Sequence, residues 1–238
     1  MGVLVQREFT VVMDNRQEFE RQSRLGVWEN MRYNGAQMIA FGGWAFGGPG
    51  DVVVTHSVYA DFDHWTATRA WGAYTTDPNR IEETAAVRAI FAGRNRLIEH
   101  SRAAIIDYDS EVSEPTPFYR NDGDPLAVLA PTFGRQSIVA ETRYRLKPGA
   151  GDEFRQVAID TVWPALRAED GRMLIHGYDP LSDEDEVIVM SAYRSITHWH
   201  EVAAKQRRRD SPLAAHAALV TGAVTRLLMV QTDFGEPV

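Results

Sequence analysis

The chain has 238 residues, 44% hydrophobic and 24% charged, with a formal net charge of −8, a globular composition with enough apolar residues for two cores. It contains no cysteine, which removes disulfides, thiolate metal sites, iron–sulfur clusters and thiol nucleophiles and fits a reducing, cytoplasmic setting. The acidic balance speaks against nucleic acid, no apolar run approaches the roughly 18 residues of a membrane span, and MGVLVQREF lacks a signal-peptide core, so neither nucleic acid nor membrane is an expected partner.

In chain order, residues 8–12 (EFTVV) read as a strand. Asp14 with Gln17 three residues on has the pattern of a capping box for a helix over 15–33, closed by Asn34-Gly35. Residues 37–46 and 51–59 read as a hairpin around Gly47-Gly48-Pro49-Gly50. Asp61 or Asp63 caps the next helix, a broken helical region covers 81–99, and 103–108 is a last strand. The order β-α-β-β-α-β is the split βαβ of ferredoxin-like modules.

Residues 110–137 carry Pro115, Pro117, Pro125 and Pro131 and read as a linker. The same order then recurs: strand 139–146, helix 152–169 with Pro164 inside it, strands 173–178 and 186–193, a helix capped by Ser195 or Thr197, a helix over 213–224 and a closing strand over 225–232. KQRRR at 205–209, followed at once by Asp210, is a solvated helix end.

The recurrence is written in the residues. VVTHSVYADFDHW at 53–65 and VIVMSAYRSITHW at 187–199 share Val, Ser57 with Ser191, Tyr59 with Tyr193, His64 with His198 and Trp65 with Trp199, 134 positions apart (187 − 53). Phe19 answers Phe154, Trp28 answers Trp163, and Gly42 answers Gly177 at 135 (154 − 19). Self-similarity at this period marks two copies of one module: 1–109, the linker 110–137, and 138–238. Each copy predicts a four-stranded antiparallel sheet with helices on one face. The expected fold is therefore α+β, with the two sheets facing each other as an intramolecular α/β barrel.

The run Arg143-Tyr144-Arg145-Leu146-Lys147-Pro148-Gly149, with Phe154, Trp163, Gly177, Tyr193-Arg194-Ser195 and His198-Trp199, resembles the NIPSNAP-like branch of the dimeric α/β-barrel superfamily. The resemblance covers both modules and implies a pocket between sheet and helices in each. It implies no single reaction, because the superfamily spans cofactor-free monooxygenases, cyclases, isomerases and haem proteins.

Residues shared by both copies are most simply scaffold, and His64 and His198 fall there as helix-start residues. The informative positions are those where one copy is apolar and the other ionisable. His56 stands where the second copy has Met190, and His176 where the first has Phe41. The plain reading of each is a satisfied core histidine. The sharper one makes His56 or His176 a general acid/base in a buried slot. Trp28, Trp44, Tyr59 and Trp65 would line the first pocket, and Tyr144, Trp163, Tyr178 and Tyr193 the second; the aromatic inventory favours the first. Arg143 and Arg145 alternate with Tyr144 and so face the barrel interior, with Glu8 or Glu141 as partners.

No metal site is expected, and there is no GxGxxG, P-loop, GxSxG or HExxH. The leading expectation is an enzyme of cofactor-free His/Tyr acid–base chemistry on a small hydrophobic or aromatic molecule, from specialised metabolism for example: cyclase, isomerase, lyase or monooxygenase. The alternatives are a haem protein of chlorite-dismutase type with a histidine ligand, and a non-catalytic ligand-binding or assembly module. The fused pair supplies what a dimer supplies elsewhere, so monomer and homodimer both fit.

Overall fold

The computed structural model describes residues 1–24, 36–69, 81–113, 135–182, 185–208 and 210–231. β1 (Gly2–Val11) passes through a 3₁₀ turn (Met13–Asn15) into α1 (Arg16–Gln22). β2 (Gln37–Phe46) and β3 (Val52–Tyr59) form a hairpin, and α2 (Phe62–Arg69) and α3 (Ile81–Asn95) precede β4 (Ile98–Tyr108). The second half repeats this with β5 (Ile138–Leu146), α4 (Gly151–Val157), a π-helix (Ala158–Val162), α5 (Trp163–Ala168), β6 (Arg172–Tyr178), β7 (Glu186–Tyr193), α6 (Ile196–Gln206), a 3₁₀ helix (Pro212–Leu219) and β8 (Val220–Val230).

The eight strands close into an antiparallel barrel in the order β1-β3-β2-β8-β5-β7-β6-β4. Each half contributes four adjacent strands, and the halves meet at two seams, β2 with β8 and β4 with β6. Gly42 and Gly177, matched in the repeat, lie one at each seam. A Cβ on Gly42 would fall 1.9 Å from the Met229 carbonyl oxygen, and one on Gly177 2.3 Å from that of Asp107. The seams require backbone approaches that only glycine allows.

Side chains alternate between the barrel interior and the helix-covered outside. Gln6, His56, Glu141 and Met190 pair in register across neighbouring strands and face inward. Phe9, Phe41, Tyr144 and His176 have the opposite parity and face the helices. The largest cluster of buried apolar residues joins the two sides of the first sheet with inward residues of the second.

Several sequence expectations are corrected. Both closing strands begin earlier than the pattern predicts, at Ile98 rather than 103 and at Val220 rather than 225. The stretch read as a helix over 213–224 is a 3₁₀ helix followed by strand. The first halves of β4 and β8 are exposed and polar or small, so hydrophobic alternation is weak there. Pairing with β1 and β5 makes them strands anyway. The capping box of Asp14 does not form: the 3₁₀ turn takes Asp14, and Asn15 at the N-cap makes no side-chain cap bond. Most of the linker, residues 114–134, lies outside the described residues, as do Trp28 and the end of the first helix.

Pro164 lacks the N–H that an α-helix interior needs. The chain places it in the first turn of α5, where a missing N–H is tolerated. It follows directly on the π-helix, whose end is marked by the Trp163 N–H reaching the Ala158 oxygen. π-turns of this kind gather at functional sites. Ser23 and Arg24 begin a π-turn at the matching place in the first module.

Candidate functional site: the helix-facing layers

The shared histidines are scaffold in both copies. Asp61 accepts from the His64 N–H at 2.7 Å, and His64 Nδ1 accepts from the Ala60 N–H at 3.0 Å. Ser195 accepts from the His198 N–H at 3.1 Å, and His198 Nδ1 accepts from the Arg194 N–H at 3.1 Å. Each is a reciprocal helix-start cap, with Asp61 and Ser195 the cap residues. Tyr59 meets His64, and Tyr193 meets His198, edge-on at 5.7 Å. Because Nδ1 of His198 accepts, its proton sits on Nε2, which donates to the Glu169 carbonyl oxygen at 2.6 Å.

The layer under the helices has one skeleton in the two modules and different chemistry. In the first, Phe9 lies 5.3 Å from Phe19, and Phe19 stacks on Phe41 at 6.4 Å. In the second, Tyr144 lies 5.3 Å from Phe154, and Phe154 stacks on His176 at 6.1 Å. Arg94, four residues before β4, covers Phe9 and Phe19. His216, four residues before β8, lies 5.0 Å from both Tyr144 and Phe154. Trp163 adds an edge contact to His176 at 5.7 Å. Two phenylalanines and an arginine are thus replaced by a tyrosine and two imidazoles.

His176 and His216 are buried. Nε2 of His176 and Nδ1 of His216 have no hydrogen-bond partner among the described residues, and buried polar atoms ordinarily have one. Burial pushes His176 down to about 4, with Asp109 pulling the other way. Burial alone pushes His216 down to about 4. Both rings are therefore neutral near pH 7. Burial also raises the Tyr144 phenol. Asp109 lies at the edge of this layer, paired with Arg155 at 2.6 Å, and its backbone N–H bonds the His176 oxygen at 2.9 Å. The Ser113 hydroxyl accepts from the His176 N–H at 3.1 Å.

His56 belongs to the other side of the sheet. It faces the barrel interior, fully buried, with no partner for either ring nitrogen among the described residues. Burial pushes it down to about 4, against the pull of Glu141. Next to it, Glu141 accepts from Gln6 at 2.9 Å, Arg226 at 2.7 Å and Arg143 at 3.2 Å. Burial would raise this carboxyl, but Arg226, His56 and Arg143 together hold it below its ordinary value. Glu8 accepts from Arg226 at 3.0 Å and Trp44 at 3.1 Å. Arg143 finds Glu141 and, at 2.8 Å, Glu186, so its interior ion pair is as the strand parity predicts.

Among the described residues, the first-module candidates do not gather on one side of the sheet. His56 and Trp44 point into the barrel, while Tyr59 points to the helices and Trp65 sits on α2. Trp28 lies outside the described residues. In the second module Tyr144, Trp163 and His176 come together. Tyr193 is buried in a neighbouring cluster with Val202 and Leu213, and its hydroxyl is bonded by Ser191 at 3.1 Å. Tyr178 is 40% exposed and stands apart. Sequence reasoning missed His216. Its signal was a lone histidine in the apolar run LAAHAALV, but the offset of 134 does not align it with Arg94; the closing strands are 122 apart (220 − 98). No cluster of three metal-ligating side chains occurs among the described residues. Among them no helix is long and apolar enough to cross a membrane.

Residues 137–211 match the family model of the antibiotic biosynthesis monooxygenases. No curated protein sequence matches the chain. A candidate monooxygenase from Lactobacillus acidophilus shares the fold at TM-score 0.62 and 12% identity, over 97% of this chain and 94% of that one. A second, from Fusobacterium nucleatum, does so at TM-score 0.60 and 14% identity, over 100% and 96%. A NIPSNAP family protein from Agrobacterium tumefaciens matches at TM-score 0.36 and 18% identity, over 42% of this chain and 99% of its own. The two matches that span the chain share its ferredoxin-like α/β-barrel fold.

Proposed function

We propose that the protein is a small-molecule monooxygenase working without an organic cofactor in the helix-facing layer of the second module. The carrying observation is the exchange of Phe9, Phe41 and Arg94 for Tyr144, His176 and His216 on one skeleton. Phe41 shows that the slot needs no polar group for folding. Tyr144 and His176 also fall inside the stretch matched by the monooxygenase family model.

The substrate class this supports is a flat, electron-rich phenol, bedded on Phe154 and Trp163. A neutral imidazole, His176 or His216, accepts the phenolic proton, and the resulting anion is the electron donor for dioxygen. A ring carbon loses its hydrogen and gains one oxygen atom; the other oxygen leaves as water. Phenol plus dioxygen then gives quinone plus water, and no outside reductant is required. Burial disfavours an isolated imidazolium, so proton transfer is coupled to the oxyanion forming beside it. Isomerisation or cyclisation would begin with the same proton abstraction.

The test is oxygen uptake with a panel of dihydroxynaphthalenes and related phenols, using native protein and the His176→Phe and His216→Phe variants. Uptake with one labelled oxygen in the product, lost in both variants, is expected. Proton exchange into substrate with no oxygen uptake would replace oxygenation by isomerisation. A Soret band on addition of haem, with a histidine variant abolishing it, would favour the haem reading. Native mass spectrometry with no retained small molecule, and no turnover in any assay, would leave a non-catalytic module.

A further inference from the structure

We infer that the helix-facing layer of the first module is an anion site, shaped for the carboxylate of an aromatic organic acid. Arg94 is 7% exposed. Its guanidinium lies 4.6 Å from the centre of the Phe9 ring and 4.3 Å from that of Phe19, and its Nε donates to Ser23 Oγ at 2.7 Å. Arg7 stands two residues before Phe9 on the same face of β1, close enough that its charge acts on Arg94. Among the described residues no carboxylate pairs with either guanidinium. The inward-facing arginines differ: Arg226 holds Glu8 and Glu141, and Arg143 holds Glu141 and Glu186.

Two like charges taken out of water together are costly unless a counter-charge joins them. Burial, and then Arg7, push Arg94 down to about 10. The second module shows that the skeleton does not require this pair. Thr142 stands where Arg7 does, and His216 where Arg94 does. The cations are additions specific to the first module.

The surroundings choose among anions. Thr55, paired with Arg7 in register, presents a buried hydroxyl on the same face. Phe9, Phe19 and Phe41 make the remaining wall aromatic. Neither a run of backbone N–H groups nor a glycine-rich loop is present among these residues, and those are the usual phosphate cradles. Guanidinium forks fit a planar carboxylate, and the rings fit an aromatic body behind it.

Calorimetric titration and thermal shift with benzoate and, separately, inorganic phosphate test the assignment on the full chain. Benzoate should bind saturably and raise the Tm. Arg7→Met and Arg94→Met should each weaken binding by about tenfold or more, the loss expected for a charge-assisted hydrogen bond. Arg7→Met should leave the ligand-free Tm unchanged or raised, because a repulsion is removed. His176→Phe, in the other module, should bind benzoate as native protein does, which separates this outcome from the fate of the oxygenase reading. No benzoate binding, binding undiminished in both arginine variants, or phosphate binding without benzoate binding would overturn it.

Discussion

Phe41 and His176 occupy the same slot in two copies of one layer, each stacked on the matching phenylalanine, Phe19 or Phe154, at 6.4 and 6.1 Å. One chain thus shows what the slot accepts when it only packs, and what it carries when chemistry is added.

The first prediction concerns that exchange. His176→Phe should fold as well as the native protein, since Phe41 fills its counterpart, and a buried nitrogen without a partner disappears. Turnover should fall by about 10²–10⁴-fold, the usual loss of a general base. Thermal melts and steady-state kinetics on one preparation decide; full turnover would return His176 to the core.

Stability should fall on mild acidification. His56, His176 and His216 are each lowered from 6.5 to about 4 in the folded protein. Between those values the unfolded chain binds more protons, so folding is opposed as pH falls from about 6.5 to about 4. Each ring contributes at most about 1.4 kcal/mol per pH unit in that window. Denaturant melts at pH 7 and pH 5 should differ, and His56→Phe should flatten the dependence. Equal midpoints at both pH values would contradict the buried, neutral assignment.

Removing Glu141 should be severe. The side chain is 1% exposed and is shared by Gln6, Arg143 and Arg226. Glu141→Ala takes the shared carboxylate from the partly buried Arg143 and Arg226, which keep Glu186 and Glu8. It also leaves the buried Gln6 amide without its acceptor, a loss of at most about 3–5 kcal/mol. A double-mutant cycle with Arg226→Met should show strong coupling, because the two side chains bond each other directly at 2.7 Å. Simple additivity would show that the interior network is not energetically connected.

The caps predict an unequal pair. His64→Ala loses a reciprocal cap; His198→Ala loses the same cap and the bond to Glu169, which also pairs with Lys205. We expect about 1–2 kcal/mol for His198→Ala and less for His64→Ala, with catalysis intact in both. Lost turnover at native-like stability would make His198 more than a cap.

Closure of the barrel should depend on Gly42 and Gly177. Valine at either places a side chain where a backbone oxygen lies, and should cost about 1–3 kcal/mol or more. Hydrogen exchange should rise first at the affected seam. Unchanged protection at β2 and β8 in Gly42→Val would show that the seam adapts.

The tandem modules, the antiparallel barrel and the strand parity that turns Arg143 inward were legible in the sequence. They follow from local periodicity and from self-comparison, which need no knowledge of distant contacts. The role of His64 and His198 was legible for the same reason, since a helix-start cap is closed within four residues. The exposed halves of β4 and β8 were not, because partner strands rather than their own residues make them strands.

The candidate site was legible only in part. Sequence comparison marked His56 and His176 as buried slots, but a one-residue change of parity puts them on opposite faces of their sheets. His216 and Arg94 come into correspondence only through the closing strands, because the helical segments before them differ in length and type. Composition and repetition determined that two like modules fold on one plan. Only the tertiary structure decided which layer buries two imidazoles and which holds two guanidinium groups that no carboxylate among the described residues pairs, because burial and missing partners are properties of neighbours distant in the chain.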